Sequence, residues 1–350
     1  GSVRLPHYYP PTRVRWLGAG SPGQELLATS GDCIRVWSAS GELRRLLRHD
    51  SNPQKRCTPI TSVDATPATP SSASASQLAS CDIYGICSLW DMETGSVKQA
   101  FDLGQPLCDV AFGPNGLVAV AGDQGECFLL DPRQPQGDVS VFAPRERVHG
   151  PGRIAWGAHR PDMFAIAWQG EEGALAIYDA SPQKAVPRVL KSPSSAVTSD
   201  LQWSYAHAQL LACAKEDGQV EIWQFPEVGV EAAAMAAGPG YTWAPRRRGA
   251  NCTALAMSPE VRSGGHHVLV LATMPAGQPG PQGQEAAATG GALWFAGLPP
   301  PVRSSGATGE ATGAGSETAA GFARGDGPVA ALGTQGGFGF GGVSTTILSR

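Results

Sequence analysis

Between Glu25 and Trp37 the chain reads ELLATSGDCIRVW, with apolar Leu26, Leu27 and Ala28, a polar stretch from Thr29 to Asp32, then Ile34, Val36 and Trp37. An apolar run, a stretch of turn chemistry, and a β-branched and aromatic run predict two short strands joined by a tight turn. The same pattern returns down the chain. Each copy closes on a large residue, at Trp37, Trp90, Leu130, Tyr178, Trp223 and Phe295. Five positions before each stands a turn residue: Asp32, Gly85, Gly125, Gly173, Gly218 and Gly290. The first five copies are spaced by 53, 40, 48 and 45 residues, and a Gly/Pro/Ala-rich insertion widens the last gap to 72. Self-similarity at this period is the signature of a repeat architecture.

Another strand precedes each turn, in LLATS, QLASC, LVAVA, MFAIA, LLACA and VLVLA. Further upstream lies an innermost strand, RVRW at 13–16, TSVD at 61–64, DVAF at 109–112, RIAW at 153–156, LQWS at 201–204 and ALAM at 254–257. Weaker outer strands follow the anchors, as at Glu42 to Leu47 and Ser96 to Phe101. Four short antiparallel strands per repeat predict an all-β propeller over 5–298. No amphipathic helix interrupts the strands, so a βαβ or Rossmann arrangement is excluded by the pattern itself. Residues 65–77 (ATPATPSSASASQ) read as a disordered loop insertion. Residues 299–350 read as a Gly/Ala/Ser-rich disordered tail in which VSTTILS at 343–349 regains strand character, either as a closing strand or, as the preferred reading, as a frayed terminus.

Composition narrows the function. The 350 residues are 42% hydrophobic and carry a formal charge of −4, without the basic field of a phosphate-backbone binder, so no direct nucleic-acid binding is expected. The basic run Arg246-Arg247-Arg248 lies in a Gly/Pro/Ala-rich linker, as a solvated loop or a docking patch. None of the eight cysteines forms a CxxC pair, and several sit inside strand runs as small buried hydrophobes, which points to reduced thiols in the cytosol or nucleus and leaves the sequon at Asn251 unused. No apolar run reaches the length that spans a bilayer, so no membrane association is expected.

The repeats resemble WD40 repeats, with Trp90-Asp91 as the literal dipeptide. More closely, HYYPPTRVRWL at 7–17, ELLATSGDCIRVW, CTPITSVD, CSLWDMETG, CDVAF, IAWGAHRPDMFAIA and DGQVEIWQFPEVG resemble, in that order, the transparent testa glabra / anthocyanin-regulating WD40 family. The resemblance covers about 5–226 and fades towards 298. It implies a seven-blade ring in the full-length protein, with six repeats visible here and one more upstream. It also implies a non-catalytic adaptor bridging transcription factors of the MYB and basic helix-loop-helix types, or dual-specificity kinases, in nucleus and cytoplasm. The chain departs from the WD40 pattern in lacking the Gly-His pair before the inner strands, so packing between blades is expected to rest more on apolar contact.

Motifs for chemistry are sparse. Of seven histidines only His266 and His267 are close together, and strand neighbours point to opposite faces, so no metal site is expected. GFGFGG at 337–342 lacks the strand-then-helix context of a dinucleotide loop, and no cofactor is expected. Asp32, Asp82, Asp123 and Asp217 fall in tight turns, where Asp bonds its own backbone, rather than forming a catalytic pair. Trp16, Trp156 and Trp203 read as inner-strand core, and the inner strands as largely apolar, which disfavours a hydrolase or lectin-like use of a central channel. One pattern is sharper: Leu130-Asp131-Pro132-Arg133 matches the apolar-Asp-x-Arg form of the WDxR box. In resembling proteins that box contacts the triple-propeller adaptor of cullin-RING ubiquitin ligases, so Asp131 and Arg133 mark a candidate docking site and a substrate-receptor alternative. The competing reading is a surface turn in which Asp131 and Arg133 pair with each other.

Overall fold

Leu27 stands opposite Trp37 and Ala28 opposite Val36 in an antiparallel pair of strands, Leu26–Ser30 and Ile34–Ser38, so the turn at Gly31–Cys33 closes the expected hairpin. The computed structural model describes residues 2–7, 11–17, 26–48, 58–66, 77–134, 138–142, 152–157, 159–168, 175–180, 188–190, 192–204, 209–225, 241–243, 250–257, 267–275, 291–298, 331–332 and 343–348, with side chains within them as far as Phe225 except at 2–4, 138 and 188. The chain forms two compact units, 1–201 with 335–350, and 202–334.

The first unit holds four four-stranded antiparallel sheets, each a meander of consecutive strands. The first sheet is Arg13–Leu17, Leu26–Ser30, Ile34–Ser38 and Leu43–Leu47. The second is Ile60–Ala65, Leu78–Asp82, Ile86–Trp90 and Val97–Asp102. The third is Leu107–Phe112, Val118–Gly122, Cys127–Asp131 and Asp138–Phe142, and the fourth Gly152–Trp156, Met163–Trp168, Leu175–Asp179 and Arg188–Leu190. A fifth sheet opens with Thr198–Trp203, which runs across the boundary between the units, and continues through Leu210–Lys215, Val220–Gln224 and Tyr241–Trp243. The second unit also holds the sixth, Ala250–Met257, His267–Pro275, Gly291–Leu298 and Ala331–Leu332. Every repeat read from the sequence is one such sheet.

Strand alternation buries both faces of a sheet, one against the sheet before and one against the sheet after. Leu17, Ala28, Ile34 and Val36 of the first sheet pack on Ile60, Val63, Leu78 and Trp90 of the second. The other face of the second, with Cys81, Leu89 and Phe101, meets Val110, Phe112, Val118 and Leu130 of the third. Ala119, Leu129 and Phe142 of the third then meet Ile154, Trp156, Phe164 and Tyr178 of the fourth, where the Phe164 and Tyr178 rings stack 5.3 Å apart. Cys81, Cys87 and Cys127 are buried in these layers as free thiols, and Cys33 and Cys213 are likewise buried and free. Burial raises the Cys33 thiol to about 11 and that of Cys87 to about 12, so both stay protonated and act as small apolar side chains.

Gly85, Gly125 and Gly218 hold the second-to-third-strand turns with φ of 96°, 96° and 86°. That conformation favours glycine on backbone sterics alone. At Gly85 a Cβ would in addition stand 2.8 Å from the Gln105 carbonyl oxygen. Gly173, Gly290 and most of 65–77 lie outside the described residues, as does the Phe295 side chain.

Two expectations need correcting. Trp16 is 55% exposed rather than core. Its counterparts Phe112 and Trp156 are buried because the preceding sheet covers them, whereas on the first sheet that face carries Leu5 and His7 over Leu27 and Trp37 and leaves Trp16 bare. Val343–Leu348 is not frayed: it pairs antiparallel with Ser2–His7, Leu5 opposite Thr345. Within single sheets the N–H groups of the buried Trp37, Trp90 and Trp223 are hydrogen-bonded. Trp37 Nε1 donates to Thr29 Oγ1 and Trp90 Nε1 to Ser80 Oγ, each at 2.9 Å. Trp223 Nε1 donates instead to Glu221 Oε2, at 3.3 Å.

His7 is expected to make the docking of the N-terminal strand depend on pH. Its ring is 3% exposed, lies 5.6 Å from that of Trp37, and its Nε2 is buried with no hydrogen-bond partner. Burial lowers its pKa below the ordinary 6.5, and Arg35 pushes the same way against the weaker pull of Asp32. A base with a lowered folded pKa contributes stability that is lost as pH falls below its unfolded value. Acidification from pH 7 through 6.5 is therefore expected to loosen residues 2–7, read as faster amide exchange there, with the dependence flattened in His7→Phe.

Candidate functional site

The inner strands are not largely apolar, as their sequence suggested. Their register-equivalent positions are Arg13, Ser62, Asp109 and Arg153, opposite Ser30, Cys81, Ala121 and Ala167 of the neighbouring strands. The fifth sheet brings Asp200 to the same group. Arg13 Nη2 binds Asp109 Oδ2 at 2.8 Å and Nη1 binds Asp200 Oδ1 at 2.9 Å, joining the inner strands of the first, third and fifth sheets through one guanidinium. Asp109 Oδ1 accepts from Ser62 Oγ of the second sheet, and Oδ2 also accepts from Ile154 N of the fourth at 3.1 Å. Five inner strands thus converge on one buried ion cluster. Two residues further along, Arg15 Nε stands 3.3 Å from Asp64 Oδ1, and Phe112 N donates to Asp64 Oδ2 at 2.8 Å.

Electrostatics follow from the geometry. Burial alone would raise the Asp109 pKa, but Arg13, Arg153 and the Ser62 hydroxyl outweigh it and hold the carboxyl below its ordinary value. Burial would likewise lower the Arg13 pKa, and Asp109 and Asp200 more than reverse that. At Asp64 burial wins over Arg15, and the pKa is raised. Both oxygens of Asp109 are already hydrogen-bonded within the chain, so the convergent polar groups form an internal clamp instead of a set of free acids and bases. In the second unit Lys215 and Glu221 are a second buried pair, 4.0 Å apart.

The sequence-marked positions fall elsewhere. Asp131 ends the third strand of its sheet and Arg133 follows in the turn. Arg133 Nε and Nη2 grip Asp131 Oδ1 and Oδ2 at 2.8 and 2.9 Å, and Arg133 N donates to Oδ1 at 3.0 Å. The arginine is 66% exposed on its side chain. Its hydrogen bonds lower the Asp131 pKa. Asp91 holds the equivalent turn of the second sheet by accepting from Glu93 N and Thr94 N. Asp32 is more than a turn former: its carboxylate holds Arg35 at 2.6 and 3.0 Å. Trp37, Trp90, Tyr178 and Trp223 are buried anchors. Among the described residues no group of three His, Cys, Asp or Glu is placed to hold a metal ion. No helix among them is long and apolar enough to cross a membrane.

Comparison with known proteins places the fold. The chain superposes on the β-propeller domain of Cps50 (Swd1) from Myceliophteria thermophila with a TM-score of 0.56 and 16% identity, over 75% of this chain and 82% of that one. It superposes equally on a chain of the mitotic checkpoint complex, with a TM-score of 0.56 and 16% identity over 83% of each. The protein is a β-propeller of WD-repeat type. No family model matches the chain. In sequence it is 25% identical over 225 residues to the "DDB1- and CUL4-associated factor 7 homolog" of Dictyostelium discoideum, 62% of this chain and 66% of that protein. The match therefore spans just under two thirds of the relative's length.

Proposed function

We propose that the protein is a non-catalytic propeller scaffold that docks on a cullin-RING ligase adaptor and presents other proteins to it. The observation that carries this reading is the Asp131–Arg133 pair, an exposed arginine locked beside a sheet end on a chain whose curated relative is described as associated with DDB1 and CUL4. Asp131 fixes the guanidinium plane through two parallel bonds, and the exposed arginine offers a charged bond to an acceptor on the adaptor. Holding the side chain in one geometry before docking lowers the ordering cost of binding.

The resemblance carried by residues 7–37 supports a complementary cargo, transcription factors of the MYB and basic helix-loop-helix types or dual-specificity kinases, with the scaffold working in nucleus and cytoplasm. Arg133→Ala is expected to weaken binding to the purified DDB1 adaptor by about tenfold or more, the loss typical of a hot-spot arginine. The arginine is exposed, so thermal unfolding should not move. Surface plasmon resonance with wild type and variant gives the answer. Equal affinity for the two removes docking through this pair.

A further inference from the structure

Tight turns between the second and third strands of a sheet are polar at their tips in the third and fifth sheets, Asp123-Gln124 and Glu216-Asp217. The second sheet breaks that rule with Ile83 and Tyr84, which are 40% and 68% exposed. A single exposed apolar side chain is ordinary. Two together on a rigid turn are not, and this turn is rigid. Asp82 Oδ1 accepts from Tyr84 N at 2.9 Å and Ile86 N at 3.0 Å, and the Gly85 carbonyl accepts from Leu103 N at 2.9 Å. Ile83 N donates to the carbonyl of Pro59, itself exposed.

Beside this apolar tip lies an acidic one. Gln105 sits between them: a Cβ on Gly85 would meet its backbone oxygen at 2.8 Å, and one on Gly122 its Oε1 at 2.7 Å. Gln105 Nε2 donates to Glu126 Oε2 at 2.9 Å, and its Oε1 accepts from Gln124 N at 3.2 Å. Asp102, Asp123 and Glu126 therefore gather on the flank of the Ile83-Tyr84 turn. Between residues 81 and 126 the sequence has one cation, Lys98, and its charge is felt at Asp91, near the opposite end of the sheet.

We infer that Ile83 and Tyr84, with Asp102, Asp123 and Glu126 beside them, form a docking surface for a peptide segment that places an apolar side chain next to lysine or arginine. The inference rests on the scaffold reading above and names a surface by which cargo is held. A preordered tyrosine loses little side-chain freedom on binding and supplies a large contact area, the property that makes Tyr a recurrent anchor. The carboxylates select a cationic neighbour, speed encounter and repel the phosphates of nucleic acid.

The test is selection of a random-peptide phage library on the intact protein, with Tyr84→Ser as the counter-selection target and the best peptide resynthesised for calorimetry. The expected winners pair an apolar residue with Lys or Arg, bind about tenfold more weakly to Tyr84→Ser, and weaken with rising salt and in Asp123→Asn/Glu126→Gln. Unchanged thermal unfolding of Tyr84→Ser shows that the variant is folded. Winners that ignore Tyr84, winners without a cation, or no enrichment over the counter-selection each overturn the inference. DDB1 binding that survives alongside such a result leaves the scaffold reading standing, and DDB1 binding lost in neither variant separates the two surfaces.

Discussion

Replacing Arg13 with methionine is expected to destabilise the folded chain by about 3–5 kcal/mol, the usual cost of removing one partner from a buried ion cluster. Methionine keeps most of the side-chain volume, so the loss reports charge and not a cavity. What it leaves behind is Asp109 and Asp200 with their principal cation gone. The pH dependence should change sign. In the wild-type protein the depressed Asp109 contributes stability above its unfolded value of 3.8 that is lost as pH falls through its lower folded one. In the variant Asp109 stays buried without the cation that offset that burial most, its folded pKa rises, and acidification from neutral pH stabilises the fold. Urea denaturation at several pH values measures both effects. A triple variant with Leu at 13, 109 and 200 should recover much of the loss, because an apolar filling of similar volume substitutes well for a buried ion pair. Equal stability of Arg13→Met and wild type would refute the clamp.

Trp90→Ala is the second large effect, with an expected cost of about 3–5 kcal/mol. The ring is fully buried between the first and second sheets, against Leu17, Val36, Val63 and Leu78. Its removal opens a cavity at the junction of two sheets and strips the Ser80 hydroxyl of its donor. Two milder variants separate the contributions. Trp90→Phe retains most of the contact and loses the bond. Ser80→Ala removes the hydroxyl that accepts from the buried indole N–H, which costs about 1–3 kcal/mol. Denaturant midpoints should therefore fall furthest for Trp90→Ala, and a ranking with Ser80→Ala as the most damaging would show that the hydrogen bond outweighs the packing.

These two sites differ in how far they could be read from the chain. Trp90 was visible because its information is local: an aromatic five residues after a turn glycine, at the end of a β-forming run, in a pattern that repeats. The same locality made the hairpins, the turn glycines and the order of sheets legible. Asp131 and Arg133 were visible too, being two positions apart, and their mutual pairing stood among the readings of that motif. The ion cluster was hidden. Arg13, Asp109, Arg153 and Asp200 occur singly, one to an inner strand, and the sequence reading of the strand carrying Asp200 began at Leu201 and so missed it. A usable signal exists in retrospect. Aligning RVRW, DVAF, RIAW and DLQW puts residues of opposite charge at one register position, although only the converging strands say that they meet. Trp16 failed for a related reason, since alternation gives a side chain its face but not what covers that face.

The clamp also sets an order of events during synthesis. The partners of Arg13 lie 96 and 187 residues further along the chain. Each sheet, by contrast, is a meander of adjacent strands whose contacts are short in sequence, the kind that forms fastest. At about 5–20 residues per second, roughly 10–40 s separate the emergence of Arg13 from that of Asp200. Through that interval the first sheets acquire their neighbours one by one while the guanidinium keeps its water. Only when the fifth inner strand arrives does the charge gain its second carboxylate, so the earliest residue of the inner register is among the last to reach its final environment.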